Sequence, residues 1–357
     1  MFDTQPGQYS GLFKRYVVQQ ISALTSPAAA ERQPDNVDLR SRALCEVADW
    51  SEQIHRGASS FLPRQSFLTS LGIRQLYGGL RQDDRAEWVE CLLTNSRLLH
   101  SVTSAFSTAL RNSRRLARVS VCGAKPLPRA YLAVRSYLDA VQDKFSAETF
   151  VVFINFIQER ATFDMDELWV LKPVLQLRLV QRLLQIGSEL GRTTDRESLQ
   201  KLSGELTTLL ESLRELDHAN WDRIFAKLSA VEQILRGDAV YAQMEPASRD
   251  CYRRAIAEMA PRSRKSEAEI AEQAMELARQ TPYGAADYVQ HVGYYLNDEG
   301  RTLLRKLIGY RSSVLGWLGE RIVAHAPSAY LLAIEFGAFV LTASLLLACG
   351  RSVSMAV

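Results

Sequence analysis

From Ala329 to Cys349 the chain is apolar except at Glu335, Gly337, Thr342 and Ser344. As a helix this run rises about 31 Å, and a bilayer core is about 30 Å thick. Such a run has two stable fates, burial inside a folded core or insertion into a membrane. Glu335 favours the first, since a carboxylate at mid-membrane costs about 2.5 kcal/mol or more. It sits close to the start of the run, however, near enough to the headgroups to keep some water. Pro327 suits a first helical turn, Tyr330 an interface, and Gly350 with Arg351 an exit. We therefore expect a transmembrane helix over residues 327–350 and a short tail over 351–357. Arg301, Arg305, Lys306, Arg311 and Arg321 precede it, against Arg351 alone beyond it. The positive-inside rule then keeps the large N-terminal part cytoplasmic.

Ahead of this run the pattern is helical almost throughout, with no sustained apolar/polar alternation between turn residues. Asp164 to Glu167 opens a segment in which Lys172, Gln176, Gln181 and Gln185 recur at steps of four or five among leucines and valines. That spacing predicts one narrow polar stripe on a mostly buried helix, capped by Asp164 with Glu167 reaching back. Pro173 is expected to kink or break it. A second capping box, Ser266 to Glu269, opens a helix to about Gln280. Breaks are expected at 26–34, 59–63, 122–128, 191–194 and 261–265. The fold class is thus all-α, a multi-helix bundle or array with one C-terminal transmembrane helix. Its units are an N-terminal arm (1–60), a central bundle (61–236), a small helical unit (237–325), the span and the tail.

Hydrophobic residues at 47% and charged residues at 23% are globular values that exclude wholesale disorder. A net charge of +3 gives no reason to expect a nucleic-acid partner. Met1 to Pro6 carries no basic region leading into an apolar one, so no secretory signal is expected there. Cys45, Cys91, Cys122, Cys251 and Cys349 have neither disulfide-framework nor zinc spacing, and reduced, mostly buried thiols are the expectation.

Few residues suggest chemistry. Asp164-Met-Asp166 spells the DxD with which glycosyltransferases hold a metal and a diphosphate, but acidic residues opening a helix are expected to serve its dipole. Glu52 with His55, and Glu215 with His218, have the spacing of di-iron ligands on a bundle, with flanks that suit helix ends better. No metal site is expected from them. Arg111, Arg114, Arg115 and Arg118 fall on one face of a helix, either a solvated stripe or a contact for anionic lipid or phosphate. The basic loop Pro261 to Lys265 carries the same two readings. His291, beside Tyr294 and Tyr295, lacks a nucleophile partner and is expected to be packed and hydrogen-bonded. No catalytic or cofactor-binding residue is assigned.

One stretch carries a family likeness. It comprises the run from Tyr241 to Arg254 (YAQMEPASRDCYRR), Ser266 to Ala271, His291 to Leu296, and Gly300, followed by basic residues and the apolar run. That order resembles the region of cyclic β-1,2-glucan synthases preceding their first membrane helix. Upstream, Pro128 to Tyr131 and Glu167 to Trp169 with the leucine-rich helix are similar to the same family, and Trp88 to Leu99 loosely so. The resemblance implies a large glycosyltransferase of the bacterial inner membrane that uses UDP-glucose and a divalent metal, of which this chain matches only the N-terminal portion. No sugar-transfer motif is visible here. The expectation is a regulatory, scaffolding or docking portion, as in a truncated gene product or half of a split system, with inner-membrane lipids and the remainder of a synthase as partners. The alternative is a stand-alone membrane-tethered helical adaptor.

Overall fold

The computed structural model describes residues 36–80, 87–111, 113, 116–121, 124–280, 287–311, 330–331 and 334–344. It is mostly helical. The helices are α1 (Asn36–Ala48), α2 (Phe61–Leu80), α3 (Glu87–Thr94), α4 (Ser96–Leu110), α5 (Arg129–Ala140), α6 (Ala147–Gln158), α7 (Met165–Leu190) and α8 (Arg196–His218). They continue as α9 (Trp221–Leu228), α10 (Ala230–Leu235), α11 (Ala239–Gln243), α12 (Pro246–Met259), α13 (Glu267–Gln280), α14 (Val292–Asn297) and α15 (Arg301–Leu307). Short 3-10 turns lie at Ala260–Arg262 and Asp287–Gln290.

α7 is the axis of the body. Its 26 residues pack against α2, α4, α5, α8 and α12. The leucines and valines of the 168–184 pattern are buried, and so is Gln176. The polar stripe meets other helices. Gln181 donates to Gln65 of α2 at 3.1 Å, and Lys172 lies 5.7 Å from the Trp221 ring centre. Arg178, in the same helix, is buried with its guanidinium 5.5 Å from the ring centre of Tyr131 and hydrogen-bonded to that hydroxyl. Pro173 does not break the helix, which is continuous across it. Pro173 is itself buried, so packing on several sides offsets the backbone bond that a proline cannot make.

Local signals explain most boundaries. The Ser59 hydroxyl accepts from the Phe61 amide at the start of α2, and the Asp195 carboxylate from the Ser198 amide at the start of α8. Ser266 and Glu269 make both bonds of the expected box opening α13. The turn between α5 and α6 holds Gln142 and Asp143 at positive φ (54° and 62°). The Ser212 hydroxyl of α8 donates to the Asp143 carbonyl at 2.7 Å and accepts from the Phe145 amide at 3.0 Å, which fixes that conformation.

Some expectations are corrected. Residues 118–128 contain two short antiparallel strands, β1 (Arg118–Val119) and β2 (Leu127–Pro128), and β1 also pairs with the segment around His55. Pro126 and Pro128 suit an extended path better than a helix. Cys45 is exposed because α1 turns Leu39 and Ala43 inward instead; Cys251 is also exposed and Cys91 is half-buried. Cys122, Cys349 and the expected break at 26–34 lie outside the described residues.

Of the expected span, residues 327–329, 332–333 and 345–350 lie outside the described residues, as do Arg321 and the tail 351–357. Residues 330–331 and 334–344 are helical. Tyr330, Leu331, Phe336, Phe339 and Leu341 there are each more than 60% exposed, so this segment is not buried against the helical body. Among the described residues, no helix is long and apolar enough to cross a membrane.

Candidate functional site

The segment from Ser229 to Gly300 closes around two buried carboxylates. The first is Glu232, three residues after the Ser229 cap of α10, whose hydroxyl accepts from the Glu232 amide at 3.1 Å. The Glu232 side chain is 1% exposed. Its Oε1 accepts from Arg236 Nε and Arg249 Nη1, each at 2.9 Å. Its Oε2 accepts from the Tyr241 hydroxyl at 2.6 Å and pairs with Arg253 at 3.4 Å. Burial pushes this carboxyl's pKa up. The Tyr241 hydroxyl and the three arginines outweigh that and hold it below the usual glutamate value. Arg253 also lies 4.6 Å from the Phe225 ring centre and meets Asp250 at 2.7 Å.

The second is Asp238. Its Oδ1 accepts from the amides of Val240 and Tyr241, both at 2.9 Å, and so caps α11. Its Oδ2 takes His291 Nδ1 at 3.0 Å and the Val292 amide at 2.9 Å. A carboxylate that accepts here assigns the proton to Nδ1 of His291. The other ring nitrogen faces the Tyr252 hydroxyl at 3.4 Å. Burial raises the Asp238 pKa, and the two backbone amides and His291 more than reverse it, leaving it lowered.

Glycines complete the fit. A Cβ at Gly293 would lie 2.7 Å from both His291 Nε2 and the Tyr252 hydroxyl, and one at Gly300 would lie 2.6 Å from Tyr294 Cδ1. Both positions sit where only a bare backbone fits.

This arrangement fastens helices together. Asp238, His291 and Tyr252 lie in a chain reminiscent of a hydrolytic triad, yet burial, then Asp238 and Cys251, push the Tyr252 hydroxyl upward, away from an activated nucleophile. Each oxygen of Glu232 and Asp238 already takes two partners, so neither carboxylate is turned toward a ligand. His291 is packed and hydrogen-bonded, as its aromatic neighbours suggest. Sequence reasoning reached Tyr241, Arg249, Tyr252, Arg253, His291 and Gly300, but not Glu232 or Asp238 at their centre. The Ser229-x-x-Glu232 spacing of a capping box was the available signal.

A third carboxylate group gathers where α7 begins. Glu167 is fully buried and takes Arg129 Nε at 3.0 Å on one oxygen, with the Arg129 Nη2 and the Asp164 amide on the other. Asp164 pairs with Arg56 at 3.0 Å. Glu267 of α13 accepts from the Met165 amide at 2.8 Å. Burial, then Asp164, Asp166 and Glu167, push its carboxyl up to about 8 against the pull of that amide. Asp164 is therefore engaged at the start of α7, and Asp166 is exposed in its first turn, where an acidic side chain suits the helix dipole. Among the described residues no group of three His, Cys, Asp or Glu side chains could hold a metal ion. Glu52 and His55 lie off any helix, and Glu215 and His218 occupy the last turn of α8.

Arg111 and Arg118 of the expected arginine stripe do not share a helix. α4 stops at Leu110, whose carbonyl accepts from the Ser113 amide and hydroxyl. Arg118 falls in β1 with its guanidinium toward the Gly57 carbonyl, and Arg111 remains exposed at the helix end. Arg114 and Arg115 lie outside the described residues.

No family model matches the chain. Cyclic beta-(1,2)-glucan synthase NdvB of Rhizobium meliloti (strain 1021) is 26% identical to it over 310 residues, 80% of this chain. The chain is related to the cyclic β-1,2-glucan synthases. It spans only 11% of the length of that relative, so the likeness concerns a small part of the synthase.

Proposed function

We propose that this chain is a non-catalytic, regulatory or scaffolding helical module of a cyclic β-1,2-glucan synthase-like glycosyltransferase. Residues 327–350 hold it at the bacterial inner membrane, with the helical body on the cytoplasmic side. The observation that carries the reading is the pairing of a relationship over most of this chain with a small fraction of the synthase. It is supported by Glu232 and Asp238, whose oxygens are all engaged within the fold. Use of UDP-glucose and a divalent metal belongs, in this reading, to the remainder of such an enzyme.

The test is synthesis of glucan from UDP-glucose with a divalent metal, in detergent. The purified chain alone is expected to make none. A synthase of this family from which the corresponding region has been removed is expected to lose regulation or assembly, and to regain it when this chain is co-expressed. Glucan made by the chain alone would overturn the reading.

A further inference from the structure

The basic loop after α12 and the segment after α15 are joined. Arg262 donates to the Tyr310 hydroxyl at 2.8 Å, and the Arg311 amide donates to the Arg262 carbonyl at 2.8 Å. The Arg305 guanidinium lies 4.7 Å from the centre of the same tyrosine ring. Residues 261–265 and 301–311 contain seven arginines and lysines and no acidic residue, so their junction is a cationic surface. Arg262, Arg264, Lys306 and Arg311 are exposed on it. Of the carboxylates around it, Glu258 pairs with Arg301 at 3.6 Å and Glu269 accepts from the Ser266 amide and hydroxyl, while Glu272 and Glu276 line a cleft on the Lys265 side.

Charge is half of the pattern. Leu303 and Leu307 lie one turn apart on α15, flank Lys306, and are 47% and 50% exposed, while Leu304 and Ile308 are turned inward. The chain then leads to the exposed apolar helix at 334–344. A small soluble anion would use the cations and leave the leucines in water. The boundary between anionic headgroups and acyl chains uses both.

We propose that this surface, formed by the 261–265 loop and α15 with Tyr310 and Arg311, docks on the anionic headgroup layer of the bilayer. The inference rests on the membrane placement proposed above. It adds that the body is oriented by lipid charge, with Tyr310 tying the two basic segments into one face.

The experiment uses the full chain synthesised in the presence of vesicles of phosphatidylcholine alone, or of phosphatidylcholine with phosphatidylglycerol, and reads amide exchange over residues 300–311. Exchange is expected to slow on the anionic vesicles, by roughly fivefold for each basic side chain engaged. R264Q/K306Q/R311Q, whose side chains are exposed, is expected to lose that protection and keep the exchange pattern of α7. A control with the same charge loss at Arg192, Arg196 and Lys201 should keep it. Equal exchange on both vesicles would overturn the proposal, as would protection reproduced by inorganic pyrophosphate without vesicles. Loss of the chain from neutral vesicles would count instead against the 327–350 tether.

Discussion

A methyl group at position 293 would sit 2.7 Å from His291 Nε2 and from the Tyr252 hydroxyl at once. Gly293→Ala must therefore part that pair or shift the first turn of α14, and we expect it to cost roughly 1–3 kcal/mol in urea unfolding. The loss should shrink in a Tyr252→Phe background, because one of the two clashing atoms is then gone. Glu232 supplies a sharper contrast. Glu232→Ala leaves buried arginines without their counter-charge, and we expect a loss of about 3–5 kcal/mol. Arg236→Ala removes a partner whose side chain is 48% exposed and should cost under about 1 kcal/mol. Equal losses from the two substitutions would mean that the Glu232 centre does not organise this part of the fold.

Between elements, the bond from the Met165 amide to Glu267 joins the start of α7 to the start of α13. In the fold the Glu267 carboxyl keeps its proton up to about pH 8, whereas its ordinary value is 4.5. The native state thus binds more protons than the unfolded chain across that window. Stability should fall as pH rises from about 4.5 to about 8 and then level off. Glu267→Gln keeps an oxygen for the Met165 amide and should flatten the slope. It should match the parent at low pH and exceed it at pH 9 by a few kcal/mol, about 5 at most. Denaturation at several pH values measures this directly. The capping boxes of α7 and α13 were legible because they are local, pairing residues three positions apart. The Met165–Glu267 bond was not, because it depends on how two distant helices dock. The course of the chain at Arg118 was hidden for a similar reason: spacing at 111, 114, 115 and 118 assumes a helix, whereas Arg118 pairs with the chain near His55.

For the whole molecule, the exposed thiols of Cys45 and Cys251 offer a test of orientation. With the body cytoplasmic, a membrane-impermeant maleimide should label both in inside-out vesicles and neither in sealed right-side-out ones. Labelling in the opposite orientation would reverse the assignment, and a chain washed free by alkaline carbonate would remove the tether. The helical class and the apolar terminal run could be read from residue order, since both depend on periodicity and composition. The fastening at Glu232 and Asp238 could not, because it joins α10, α11, α12 and the residues that open α14. The bond between Met165 and Glu267 also has a temporal side. The first turn of the longest helix is completed by a residue that leaves the ribosome 102 positions later. That contact cannot close before α13 has been synthesised, so the start of α7 keeps an unpaired amide until all the helices between the two have been made.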